Sequence, residues 1–150
     1  MYIISNIGSF GEDIYKIGMT RRFEPSDRVR ELSGASVPFG YDIHAMIYSK
    51  DAPELEHILH KRFTYNRINL VNNRKEFFKV PLHEIAEFAN ENGYDIEFSN
   101  IAEARAYRET CSIRKVKNRE EIENDINLEY PLSLSLEDED DDEEKINTQR

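Results

Sequence analysis

The chain has a single cysteine, Cys111, so no internal disulfide can brace the fold, and a lone thiol agrees with a reducing compartment. It has no apolar run near the roughly 20 residues that cross a bilayer, which excludes a transmembrane helix and a membrane partner. The opening residues, Met1 to Asn6, lack the basic start and apolar core of a secretory leader, so the expected location is the cytoplasm. No internal repeat is evident. An excess of positive charge is also missing: the net charge is −10 and the pI about 4.9, which taken whole argues against a nucleic-acid partner.

The distribution of charge reverses that argument. Between Lys16 and Lys79 there are twelve Lys and Arg against eight Asp and Glu, whereas residues 101–150 hold eight basic and fifteen acidic residues. The uninterrupted acids Glu137 to Glu144 repel one another and cannot bury apolar area, so residues 131–150 are expected to be an acidic disordered tail. The chain as a whole, 39% hydrophobic and 33% charged over its 150 residues, suits one small domain with a polar extension. The expected organisation is a domain over 1–100, a polar helical extension over 101–130 and the tail.

Tyr2-Ile3-Ile4-Ser5 reads as a short strand, closed by Asn6 and a loop through Gly8-Ser9-Phe10-Gly11. Ile14 to Gly18 is a second strand, antiparallel to the first. Alternation puts Tyr15 and Ile17 on one face and Lys16 on the other, while Gly18 allows a close backbone approach. After the basic loop Thr20 to Phe23, Pro25 and Ser26 open a helix with Asp27 in its first turn, ending near Ser33-Gly34. Tyr41 to Tyr48 is a third strand, with Ile43, Ala45 and Ile47 on one side and Asp42, His44 and Met46 on the other. Asp51 caps a helix whose buried face is Leu55, Ile58, Leu59 and Phe63, and Glu56 and His60 share a neighbouring face one turn apart. A basic, Asn-rich loop, Arg67 to Arg74, leads to a short strand at Glu76 to Val80, with Phe77 and Phe78 as packing residues. An amphipathic helix follows over 81–92, closed by Gly93. The pattern as a whole is an α/β chain of the α+β kind: a small antiparallel three-stranded sheet flanked by helices.

The ordered segments Tyr2-Ile3-Ile4-Ser5, Tyr15-Lys16-Ile17-Gly18-Met19-Thr20, Arg28, Glu56 with Leu59-His60 and Phe63, and Arg74-Lys75-Glu76-Phe77-Phe78 resemble the GIY-YIG nuclease superfamily. They are most similar to the branch named after an open reading frame of bacteriophage T-five. The likeness covers about the first eighty residues. It implies a phage or mobile-element DNA endonuclease using one divalent metal ion, Mg²⁺ or Mn²⁺, in a host cytoplasm. Carried over by position, Tyr2 matches the tyrosine that faces water or phosphate, Arg28 the arginine that holds the scissile phosphate, and Glu56 the metal-binding carboxylate. Lys16 stands where the second triplet usually has tyrosine, as in some members. The first triplet has no glycine, which leaves Tyr2 beside a chain end expected to fray. Arg21, Arg22, Arg30, His60, Lys61, Arg62, Arg67, Arg74 and Lys75 are the candidate DNA grip, and a protein partner or a homodimer would help select the target.

The same roles follow from chemistry. Phosphodiester hydrolysis needs a water nucleophile, charge neutralisation at the phosphate oxygens and help for the departing oxygen. Mg²⁺ is content with one carboxylate, Glu56, because it keeps most of its waters. Arginine's planar fork favours Arg28 as the clamp. A free tyrosine titrates near roughly 10, so Tyr2 as a base needs a nearby cation, which Lys16 supplies unless it donates a proton itself. Plain readings stand beside these: Tyr2 as a strand aromatic, Lys16 as a solvent-facing residue, Arg28 and Arg30 as helix decoration, Glu56 and His60 as a polar i,i+4 pair. Two other functions stay open, a binding module without catalysis and an interaction protein whose acidic tail autoinhibits or mimics nucleic acid.

Overall fold

The computed structural model describes residues 1–129; the expected acidic tail lies outside the described residues. In chain order the elements are β1 (Tyr2–Ser5), α1 (Ile7–Phe10), β2 (Ile14–Gly18), α2 (Pro25–Leu32), β3 (Asp42–Met46), α3 (Ala52–Arg62), a 3₁₀ turn (Thr64–Asn66), β4 (Phe77–Lys79), α4 (Leu82–Glu91), α5 (Arg105–Val116) and α6 (Arg119–Glu129). One compact unit runs from Met1 to Glu109 and a second begins at Thr110. No helix among the described residues is long and apolar enough to cross a membrane.

The sheet has four antiparallel strands in the order β3-β1-β2-β4, one more than expected. The short strand at Phe77 joins β2 as the far edge because β2 otherwise shows an unpaired row of backbone groups on that side. This order makes β1 an interior strand, and that corrects the expectation of a fraying end. Met1 is 3% and Tyr2 2% exposed, with strands on both sides.

Alternation along the strands builds two unequal faces. Ile3, Ile17, Ala45 and Phe78 join Leu55, Leu59 and Phe63 and, from α4, Ile85 and Ala89 in the main core. At about 25 cal/mol per Å² this apolar burial is the dominant stabilising term. Tyr2, Ile4 and Val29 of α2 make a smaller cluster on the other face, so that face keeps room for polar groups. Lys16 pairs with Ile4 across β1 and belongs to this second face, as its alternation required.

Three local expectations fail for identifiable reasons. A register shift opposite Ile3/Ile4 puts an extra residue in β3 and breaks its strict alternation. His44 therefore packs its ring on Tyr15 and bonds Ser5 Oγ at 2.7 Å, both on the Ile3 side, while Ile43 sits opposite Ile4. The loop after β1 winds into one helical turn, because buried Asn6 accepts the Ser9 N–H and donates to the Phe39 carbonyl. Asp51 occupies the N-cap position of α3, yet its side chain makes no capping bond.

Candidate active site

The C-terminal end of β2 is where groups from distant parts of the chain meet. Gly18 faces Tyr2 across the β1–β2 pair, and a methyl group added to Gly18 would lie 2.6 Å from the Tyr2 hydroxyl and 2.7 Å from its Cζ. The missing side chain is thus what seats the phenol. Arg28, presented by α2, lies near enough to Tyr2 to favour its ionised form, and its guanidinium pairs with Glu31 at 3.3 Å. Proline at the first position and Asp27 in the first turn start that helix, and buried Pro25 and Val29 dock it on the sheet.

Lys16 is 8% exposed, its ammonium over the Phe77 ring at 5.0 Å and 3.5 Å from Glu76 Oε2. Burial pushes its pKa down, and Glu76 resists that shift. Tyr2 moves the other way: burial raises its pKa and Glu76 adds to the rise, against the opposing influence of Arg28. The phenol stays protonated at neutral pH and can donate a hydrogen bond, which removes it as a free phenolate base. Glu56 reaches the same place from α3. Burial raises its pKa, opposed by His60 and reinforced by Glu76.

His60 fixes α3 to β2. Its Nε2 is 2.7 Å from the Ile17 carbonyl, which can only accept, so Nε2 carries the proton and Nδ1 accepts from Arg67 at 3.4 Å. The ring also rests on Phe78, and Glu56 Oε1 lies 3.7 Å from Nε2. Among the described residues, Glu56, His60 and Glu76 bring one ligand atom each to within 4.8 Å of one another. Since the His60 N–H is already committed, the two carboxylates are the donors suited to a hard divalent cation.

Tyr2, Lys16, Arg28 and Glu56 therefore share one electrostatic neighbourhood. The remaining cations divide. Arg21, Arg22, Arg30, Lys61, Arg74 and Lys75 are exposed, with Arg22 paired to Glu31 and Arg30 to Asp27. Arg62 lies over Phe63 and Phe88 beside Glu84, Glu87 and Glu91, while Arg67 stacks on Phe78 and bonds the Asn73 carbonyl. Arg62 is nonetheless exposed, whereas Arg67 and His60 are half-buried. Glu76 is the residue that spacing alone leaves out. Its signal was the Arg74-Lys75-Glu76-Phe77-Phe78 run, in which a carboxylate directly precedes a packing pair.

A family model described as the T5orf172 domain matches residues 1–93, from the start of β1 to the glycine that closes α4. The chain belongs to the T5orf172 domain family. This family is linked to nuclease-like and DNA-binding modules. No curated protein and no solved structure matches the chain. The T5orf172 match spans all four strands and the first four helices, and so contains every residue of the convergent cluster.

Proposed function

We propose that this T5orf172 domain is a metal-dependent DNA endonuclease of the GIY-YIG kind, with Mg²⁺ or Mn²⁺ as its cation. What carries the reading is the meeting of a phenol, an ammonium, a guanidinium and a carboxylate at the end of β2, from positions up to 54 residues apart. Glu56 and Glu76 would hold the cation, since mutual repulsion of two half-buried carboxylates is relieved by a charge placed between them. Such a cation supplies Lewis-acid neutralisation of phosphate charge.

The protein's own groups do the rest. Arg28 grips two phosphate oxygens with its fork, beside Tyr2 and paired with Glu31. Tyr2, protonated, orients the attacking water or a phosphate oxygen by hydrogen bonding. Lys16, whose burial favours giving up its proton, protonates the departing oxygen as charge builds there.

Full-length protein incubated with supercoiled plasmid and Mg²⁺ or Mn²⁺ tests the reading. Nicking that is abolished by chelator and by Glu56→Ala is expected; intact plasmid under all divalent conditions would falsify it. A binding module without catalysis is the second reading, favoured by the 2% exposure of Tyr2 and the Lys16–Glu76 ion pair. Salt-sensitive DNA binding, indifferent to chelator and without nicking, would establish it.

A further inference from the structure

The same face of the sheet carries a second cavity that the cleavage chemistry does not use. It encloses about 460 Å³ and is walled by Phe10, Phe77 and Ile68, with Ser9, Asn69 and Lys75 supplying polar groups. Its volume falls within the range of small-molecule pockets, about 300–1,000 Å³. Phe10 and Phe77 meet edge to face at 5.2 Å, and Phe10 remains 39% exposed. Phe77 is the cross-strand partner of Lys16 and lies under its ammonium. Ile14, two residues before Lys16 and hence about 7 Å along β2, also lines the cavity. The pocket and the candidate active site thus share a wall.

Its polar equipment is unspent. Ser9 Oγ is buried with no hydrogen-bond partner, an arrangement that costs free energy unless something else satisfies it. Asn69 Oδ1 accepts the Val71 and Asn72 N–H groups, both at 2.9 Å, which locks the amide and leaves its Nδ2 hydrogens without a partner among the described residues. Lys75 is close enough to Lys16 to oppose its charge, so the rim is cationic on the side facing the cleft.

We infer that this pocket takes one unstacked nucleobase of the strand whose phosphate is held at Arg28 and Lys16. The substrate class is therefore DNA with an unpaired or extruded nucleotide beside the cut. The inference rests on the proposed nuclease reading. An aromatic wall offers a π-face that any base can stack on, a fixed amide offers hydrogen bonds to its edge, and the cationic rim receives the adjoining phosphate. A base locked in an intact duplex cannot reach a pocket walled on three sides, so extrusion or prior unpairing is required.

Oligonucleotide duplexes, intact or with a single unpaired 2-aminopurine, test this with full-length protein in EDTA, which prevents cleavage. The unpaired duplex is expected to bind about 5- to 150-fold more tightly, as loss of one base-stacking contact implies. The 2-aminopurine emission should change at one position and not at others. Phe10→Leu keeps the apolar volume but removes the more exposed of the two rings, and Ile68→Glu puts a negative charge on a half-exposed rim position; each should sharply reduce both effects. Equal affinity for both duplexes with unchanged emission overturns the inference and leaves the nuclease reading intact. Absence of binding to either duplex overturns the inference, and joined with intact plasmid in the nicking assay it overturns both.

Discussion

Replacing Gly18 by alanine puts a methyl carbon 2.7 Å from Tyr2 Cζ and 2.9 Å from its Cε2. Carbon atoms rest at about 3.5–4.0 Å, so the ring must withdraw by about 1 Å or β2 must bow. Withdrawal is obstructed, because Tyr2 is buried and packed with Val29 and Ile4. Overpacking of this kind costs about 1–3 kcal/mol, which lowers Tm by about 4–8 °C per kcal/mol for a unit of roughly 100 residues. A misplacement of about 1 Å in a catalytic group also costs about 10²-fold in rate. Gly18→Ala should therefore lower the urea midpoint and cut plasmid nicking by about 10²-fold together. Urea unfolding followed by circular dichroism, with nicking measured in parallel, reads both. Adding Tyr2→Phe removes the 2.6 Å oxygen contact, so the two substitutions should be non-additive by about 0.5–3 kcal/mol. A Gly18→Ala protein within about 0.5 kcal/mol of wild type, with full nicking and no coupling to Tyr2→Phe, refutes the claim that this glycine seats the phenol.

Glu76→Gln strands the Lys16 ammonium, and after discounting for the 28% exposure of the Glu76 side chain it should cost about 1–2 kcal/mol in thermal unfolding. Adding Lys16→Met should recover most of that stability while leaving nicking abolished; failure of the methionine to rescue would show that Glu76 acts by another route. Arg28→Lys should reduce nicking about 10²-fold with Tm almost unchanged, because the planar fork is lost and the charge is kept. Equal rates for the two proteins would remove Arg28 as the phosphate clamp. Glu56 has a folded pKa raised above the ordinary 4.5, so its favourable contribution is complete below that value and is lost as pH rises through the folded pKa. Without divalent cations, Glu56→Gln should melt above wild type at pH 7, the difference closing as pH falls below the ordinary glutamate range. Mg²⁺ or Mn²⁺ should raise the Tm of wild type and leave Glu56→Gln unmoved.

Much of the fold was legible along the chain. Short β-branched runs at Tyr2 and Ile14, with turn residues between them, specify a hairpin, and proline followed by Ser26 and Asp27 marks the start of α2. Period-two alternation was enough to send Ile17 into the core and Lys16 to the opposite face, because side-chain direction in a strand is a local property. The family match over residues 1–93 agrees with that ordered series of segments.

Tertiary structure decided what depends on contacts between remote segments. Whether β1 frays or lies protected is set by which strands flank it, and β3 docks there from some forty residues away. The bulge that turns His44 inward is a mismatch between two strands, invisible in either alone. Charge pattern could not separate exposed Lys61 from Arg67, half-buried and stacked on Phe78, since that partner comes from folding rather than from neighbours in the chain. Glu76 is the plainest case: by sequence the first residue of a short strand, it becomes the counter-ion of Lys16 and the neighbour of Glu56 only when β4 pairs with β2. Local chemistry chose the residue types, and long-range pairing brought them within reach of one another.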